Sequence, residues 1–204
     1  MKLAAIAAAA LVPMLMFATT ASAEAPQTIT YKLRASAAGQ SSDFTLDQGV
    51  DASAPATAAP GSAVAVTIDP APNTIPSEAG GRQVREIKGL ALKLPVPANS
   101  TFASASLAGG AGLGGTPTIA LQGNDVVLSV PGPIKGGANF ELPTVTINLT
   151  AGGSGTISAK LGGTSYDAPG LTFTAVVTVF GFPIDAAAKG YPDPNPVLTT
   201  TTIG

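Results

Sequence analysis

The chain contains no cysteine, no histidine and no tryptophan. Without cysteine there are no disulfides, so a secreted domain built from this sequence must take its stability from its core. Without cysteine and histidine the usual ligands of zinc, copper, haem and iron–sulfur clusters are missing, and any metal would be a hard cation held by oxygens. The absence of histidine also removes the base of a Ser-His-Asp arrangement. No serine stands three residues before a lysine and no GxSxG occurs, so the SxxK and nucleophile-elbow signatures are absent as well. Charged residues make up only 11% of the chain, with a formal net charge of −2. That balance excludes the clustered basic surface that nucleic acid requires and gives no overall attraction to anionic lipid.

Long apolar runs are also scarce, with one exception at the start. MKLAAIAAAALVPMLMFATTASA combines Lys2, an apolar run from Leu3 to Ala18 and a small-x-small site at Ala21-Ser22-Ala23. This is the pattern of a secretory signal peptide over 1–23, cut after Ala23. The expected product is a secreted protein with a domain over 24–190 and a Pro/Thr-rich tail over 191–204, extended or forming an edge strand. No membrane span is expected in the mature chain.

What is present is alternation. Thr116–Thr150 reads TPTIALQGNDVVLSVPGPIKGGANFELPTVTINLT. Gly123-Asn124 is a two-residue turn signal that pairs Leu121 with Val126 and Ile119 with Leu128, placing both apolar sets on one face. Val145, Ile147 and Leu149 repeat the period. Ile29, Tyr31 and Leu33 mark a first strand, Phe44 and Leu46 a second, and Val64, Val66 and Ile68 a third, with Asp47–Pro60 between the last two read as a polar connection. In Arg82–Val96, Ile87 has the opposite parity to Leu90, Leu92 and Leu94, which a β-bulge at Lys88-Gly89 reconciles. Thr101–Leu107, Thr156–Leu161 and Leu171–Phe180 are further strands, and Ile184–Lys189 suggests one helical turn capped by Asp185. Short strands with Gly/Pro turns and no interleaved helices predict an all-β fold, an antiparallel Ig-like β-sandwich of roughly eight to ten strands.

The motifs carry little chemistry. Gly110, Gly112 and Gly115 fit GxGxxG, but a strand follows instead of the helix that a dinucleotide site needs, so the stretch reads as a flexible loop. Asp43, Asp47 and Asp51 are the only clustered acids and are weak calcium candidates, with a spacing unlike the EF-hand loop. Glu78, Glu86 and Glu141 are the carboxylates available to a glycosidase-like pair. Arg82, Arg85, Lys88 and Lys93 alternate with apolar residues and suggest a charged, protected sheet edge. Tyr166-Asp167 is the best placed of three scattered tyrosines for sugar stacking, although a satisfied, half-buried ring is the simpler reading. Asn99-Ser100-Thr101 and Asn148-Leu149-Thr150 match the glycosylation acceptor pattern. No catalytic residue and no cofactor site are expected.

Several phrases, YKLRA (31–35), FTLDQGVDASAPATAAPGSAVAVTI (44–68), LALKLPVPANSTF (90–102), VPGPIKGGANFELPTVTINLTA (130–151), GTSYDAPGLTFTA (163–175) and YPDPNPVLTTTTI (191–203), are similar to those of small secreted actinobacterial proteins of unassigned role. Some of these are labelled "cyclase" or "dehydratase" without mechanistic support. The resemblance implies no catalytic residue. It does imply that Leu33 and Gly190, standing near where relatives carry two cysteines, lie close together. The functional expectation is a non-enzymatic extracellular or cell-envelope protein, acting as a surface interaction or structural module for a partner that is a protein, an envelope component or an apolar small molecule. The alternatives are a carrier of an apolar small molecule or lipid in a cavity of the sandwich, and third a carboxylate-only hydrolase. Intact mass of the exported protein is expected to correspond to Glu24–Gly204; a mass retaining Leu3–Ala18 would contradict the cleavage site.

Overall fold

The structure, a computed structural model, describes Ala21–Ala23 and Pro26–Gly204, with side chains from Pro26 onward. The signal peptide expected over 1–23 therefore lies outside the described residues, apart from the backbone of its last three. Every regular element among the described residues is a strand. In chain order these are β1 Ala21–Ala23, β2 Gln27–Ala37, β3 Gln40–Pro55, β4 Thr57–Ala58, β5 Ala63–Pro70 and β6 Asn73–Thr74. Next come β7 Glu78–Ala79, β8 Arg82–Pro95, β9 Ser100–Ala108, β10 Thr118–Gln122, β11 Asp125–Val130 and β12 Ile134–Lys135. The last are β13 Asn139–Phe140, β14 Thr144–Ala151, β15 Gly155–Ala159, β16 Leu171–Val179, β17 Phe182–Pro192 and β18 Thr199–Ile203.

The alternation read from the sequence becomes the core. Ile29, Tyr31 and Leu33 of β2, Val64, Val66 and Ile68 of β5, and Val145, Ile147 and Leu149 of β14 are all buried. Gly123 takes φ 63° in the turn between β10 and β11, and Leu121 faces Val126 and Ile119 faces Leu128. Val126 and Leu128 are fully buried, whereas Leu121 is 43% exposed, because β10 lies at the end of the sheet. In β8, Ile87, Leu90, Leu92 and Leu94 are all buried. The ladder to β16 slips between Thr172, opposite Ala91, and Thr174, opposite Lys88, with Gly89 at φ 62°. One extra residue on β8 thus returns both parities to the inner face.

The main sheet is one antiparallel path, β10-β11-β8-β16-β17-β2-β3-β5-β14-β9. It folds over on itself: Tyr31, Leu46, Val50 and Ile68 from one half enclose a small cavity with Leu90, Leu92 and Leu171 from the other. The buried aliphatic residues of both halves form a single cluster, and the end strands β9 and β10 come alongside each other. These two facing layers make the architecture of a β-sandwich. A three-stranded sheet, β15-β18-β4, closes one end against β3.

Four expectations need correction. Asp47–Pro60 is largely strand: Val50, Ala52 and Ala54 are buried and alternate with Asp51 and Ser53, a period-2 pattern that small alanines and prolines disguise. Ile184–Lys189 is part of β17 rather than a helical turn, because pairing with both β16 and β2 satisfies its backbone. Strand β8 is not an edge; it is held between β11 and β16, so its basic residues protect nothing. The tail strand β18 is the middle of its sheet, not an edge, with Leu198, Thr199, Thr201 and Ile203 buried and the Thr201 hydroxyl donating to the Pro55 carbonyl at 2.6 Å.

Leu33 and Gly190 are direct cross-strand partners on β2 and β17. A Cβ on Gly190 would come within 2.5 Å of the Lys32 carbonyl oxygen and 2.6 Å of Leu33 Cδ2. Gly190 thus lets the Leu33 side chain lie across the opposing backbone. Gly190→Ala is expected to lower stability in urea denaturation by about 1–3 kcal/mol, the usual cost of overpacking. Gly153→Ala, where a Cβ meets nothing within 4 Å, is expected to stay within about 0.5 kcal/mol of the parent.

Candidate functional site

Paired polar and aromatic side chains gather on the outer faces of β2 and β17 and on the loop from Lys160 to Gly170; of the candidates read from the sequence this cluster takes in Tyr166, Asp167 and Asp43, and the others lie elsewhere. The loop is drawn onto the sheet by its glycines: Gly162 donates to the Lys93 carbonyl at 2.9 Å, and Lys93 donates to the Gly170 carbonyl at 2.8 Å. A Cβ on Gly170 would stand 1.6 Å from the Gly162 oxygen, so this crossing needs backbone without side chains. Tyr166, at the crest of the loop, meets Tyr191 edge-to-face with ring centroids 5.3 Å apart. The Arg34 guanidinium lies over the Tyr166 ring at 4.1 Å, a cation–π contact.

Each cation here already has an anion. Arg34 binds both carboxylate oxygens of Asp43 at 2.7 Å, Lys32 pairs with Asp193, and Lys189 approaches Asp167 at 3.6 Å. The hydrogen bond from Arg34 holds the Asp43 carboxyl below the usual carboxylate range; desolvation opposes it, and the charge of Arg34 adds to it. The same bond holds the guanidinium charged, and the hydrogen bond and charge of Asp193 raise the pKa of Lys32. Tyr166, the stacking candidate, presents one face to Arg34 and meets Tyr191 edge-to-face, so the cluster clamps the loop to the sheet rather than offering an open platform.

The calcium candidates are not brought together. Asp43, Asp47 and Asp51 lie on one face of β3 at four-residue intervals, about 13 Å apart by strand geometry. Asp43 is engaged with Arg34, and Asp47 accepts from the Thr30 hydroxyl at 2.6 Å. Among the described residues no group of three or more carboxylates could hold a metal ion. Register places Asp51 directly opposite Asp69 instead, a pairing invisible until strand order is known. These two border an open groove of about 380 Å³ with Pro26, Ser53, Thr67 and Thr144, and Thr144 Oγ1 donates to Asp69 Oδ1 at 2.6 Å. Glu78 is on β7, Glu86 on β8 opposite Lys135, and Glu141 at an isolated bridge to Ala111.

The glycine-rich stretch is packed rather than loose. Its Leu113 is buried, and a Cβ on Gly114 would stand 2.0 Å from the Pro133 oxygen. It leads into β10, with no helix N-terminus for a pyrophosphate. Of the acceptor asparagines, Asn99 donates its amide to the Thr156 carbonyl and Asn148 to Ser104 Oγ.

Inside the sandwich a cavity of about 40 Å³ is lined by Tyr31, Leu46, Ile68, Leu92, Phe140 and Leu171 among others. Burial pushes the Tyr31 phenol well above its ordinary range, so it stays neutral. Gln48, the polar group at the wall, is saturated: its amide donates to the Gly49 and Ala71 carbonyls and its oxygen accepts from Asn73. One surface escapes the sequence reading. Phe180 is 97% exposed, Phe182 69% and Ile184 37%, all at the end of the β16–β17 hairpin. The available signal was Phe-Gly-Phe between two alternating runs, a turn with aromatic residues where Asn and Gly are usual.

No protein-family model matches the chain, and no curated protein or solved structure matches it. Asp43, with its pKa depressed, contributes stability above the ordinary aspartate range and loses it as pH falls through the folded-state value. The difference in thermal midpoint between the parent and Asp43→Asn is therefore expected to be largest near neutral pH and to shrink below about pH 3. A difference that persists or grows in acid would remove the ion pair as its cause.

Proposed function

We propose that this is a non-enzymatic protein of the cell exterior or envelope that works through its surface. The observation that carries the reading is the apolar end of the β16–β17 hairpin. Phe180, Phe182 and Ile184 face solvent there while the remaining large aliphatic side chains, Leu121 apart, are buried or half-buried. An exposed apolar patch on an otherwise well-packed domain marks an interaction site. The signal-peptide pattern at the N-terminus supports the compartment, and the pairing of Leu33 with Gly190 fits kinship with the small secreted actinobacterial proteins. The paired ions of the Tyr166 cluster support a structural role for that face.

The second reading, a carrier, draws on the apolar cavity between the layers. At about 40 Å³ it has the volume of one or two methyl groups, far from the few hundred cubic ångströms that a small-molecule site occupies. A hydrolase would draw on Asp51 and Asp69, which share a groove that lies open to solvent.

Native mass spectrometry of the protein purified from culture medium separates these readings. A mass equal to the bare chain is expected. An excess of several hundred daltons that is lost on denaturation would overturn the surface-acting reading in favour of the carrier, and turnover abolished by Asp51→Asn would overturn it in favour of the hydrolase.

A further inference from the structure

Strands β16 and β17 are joined by Phe180 and Gly181, with φ of 50° and 84°. Two successive positive values describe a primed two-residue turn, in which the first position favours Asn, Asp or Gly. A bulky aromatic in the left-handed region is an outlier, because its Cβ crowds the backbone. Gly80-Gly81 and Gly123-Asn124 follow the rule, whereas Ala38-Gly39 departs from it with a small side chain and Phe180-Gly181 with a bulky one. Phe180 takes the strained position and gains nothing from it within the fold, since its ring is 97% exposed. Phe182 and Ile184 share the inward-facing side of β17 with the buried Ala186 but lie at the margin of the core, opposite Val179 and Val177, and stay 69% and 37% exposed. Strain and exposure in the same residue point to a use outside the folded chain.

Among the described residues, two arginines without an ion pair stand beside this end. β8 runs beside β16, with Val84 opposite Val177 and Gln83 Oε1 accepting from Thr178 Oγ1 at 3.3 Å. One residue further along the same ladder brings Arg82 beside the hairpin end. Arg85 stands unpaired on β8 where the register slips between Val176 and Val177. Both arginines are exposed, and among the described residues neither side chain has an ion pair or a hydrogen bond. Lys88 is engaged with Asp185 at 3.0 Å; the other acids of this end are Glu78 on β7, opposite Gln83, and Glu86 on β8, opposite Val176 on one side and Lys135 on the other.

We propose that the Phe180-Gly181-Phe182 hairpin tip is a membrane-docking wedge, its two rings entering the interface of a lipid bilayer while Arg82 and Arg85 meet anionic headgroups. The inference rests on the surface-acting reading and supplies its partner. The exposure favours lipid over a protein groove as the occupant: the patch centres on a hairpin turn whose Phe180 ring is 97% exposed, and a fluid interface can envelop such a ring without a complementary pocket. Aromatic and aliphatic side chains flanked by unpaired arginines are the composition of interfacial anchors. The net negative charge of the chain does not oppose this, because attraction to headgroups decays within a Debye length and only the charges at the tip are felt.

The absence of tryptophan makes the test direct. Phe180→Trp creates a single tryptophan at the tip of the full mature chain, excited to the red of the three tyrosines. Titration with vesicles of phosphatidylcholine containing phosphatidylglycerol is expected to shift its emission to the blue, and the protein is expected to float with the vesicles. Phe180→Asn/Phe182→Thr is expected to lose at least tenfold in vesicle affinity while its thermal midpoint holds or rises, because Asn suits the turn. Arg82→Gln/Arg85→Gln is expected to weaken binding to the anionic vesicles and leave binding to pure phosphatidylcholine unchanged. No blue shift and no flotation would overturn the proposal, as would full affinity in the Asn/Thr variant. A tip tryptophan already blue-shifted without lipid, in a species of doubled mass, would overturn it in favour of self-association. The vesicle result bears on lipid alone, whereas the surface-acting reading fails on a bound small molecule or on turnover, so the two failures are distinguishable.

Discussion

The fold depends on one pairing, that of the first long strand with the last long strand of the main sheet. β2 and β17 hydrogen-bond along Ser36–Tyr31 and Ala187–Pro192, and in the strand order of the main sheet that ladder joins the β10-β11-β8-β16-β17 half to the β2-β3-β5-β14-β9 half. Closing a loop of about 160 residues costs roughly 4–5 kcal/mol of chain entropy. Burial of Ile29, Tyr31 and Leu33 against the opposite layer offsets it, at about 1.5–3 kcal/mol for each large aliphatic side chain. The contact is tight because Gly190 leaves room for Leu33. No disulfide shares the task.

The two sides of this junction have separate duties. Inward, the side chains of β2 and β17 belong to the core. Outward, Lys32, Arg34, Lys189 and Tyr191 gather the loop that carries Tyr166 and Asp167 through paired charges and stacked rings. Because these ion pairs are largely exposed, each contributes little alone; Lys189–Asp167 reaches the loop directly, and Arg34, held by Asp43, reaches it through the Tyr166 ring. This face is consumed by its own contacts. The hairpin end of β16 and β17 is the opposite case, with Phe180 and Phe182 bare of any contact that would explain them.

Much of the strand content was legible because one face of each long strand is buried and the period of two survives in the residues. The bulge in β8 was legible for the same reason: Ile87 and Leu90 cannot share a face unless one extra residue intervenes, and Gly89 was at hand. The readings that failed did so where composition hid the period or tertiary pairing replaced local preference. Ala52 and Ala54 are too small to announce a buried face, and Asp185 looks like a helix cap until β16 takes up the backbone opposite it, with β2 joining on the other side from Ala187. The acids show the same limit. Asp43, Asp47 and Asp51 are neighbours in sequence and separated in space, while Asp51 and Asp69 are adjacent only through register.

By itself the sequence determined the all-β class, the main turns, the inward faces and the absence of thiol and imidazole chemistry, since these follow from residue type and local period. Tertiary structure alone decided the order of strands, the union of β2 with β17, the central place of the Thr-rich β18, and which apolar residues stay outside. The physical reason is that local propensity acts over a few residues, whereas exposure is set by where the opposite layer ends. Phe173 and Phe182 lie on the same face of one hairpin, and only the end of the core beyond Ala186 leaves the second of them to the solvent.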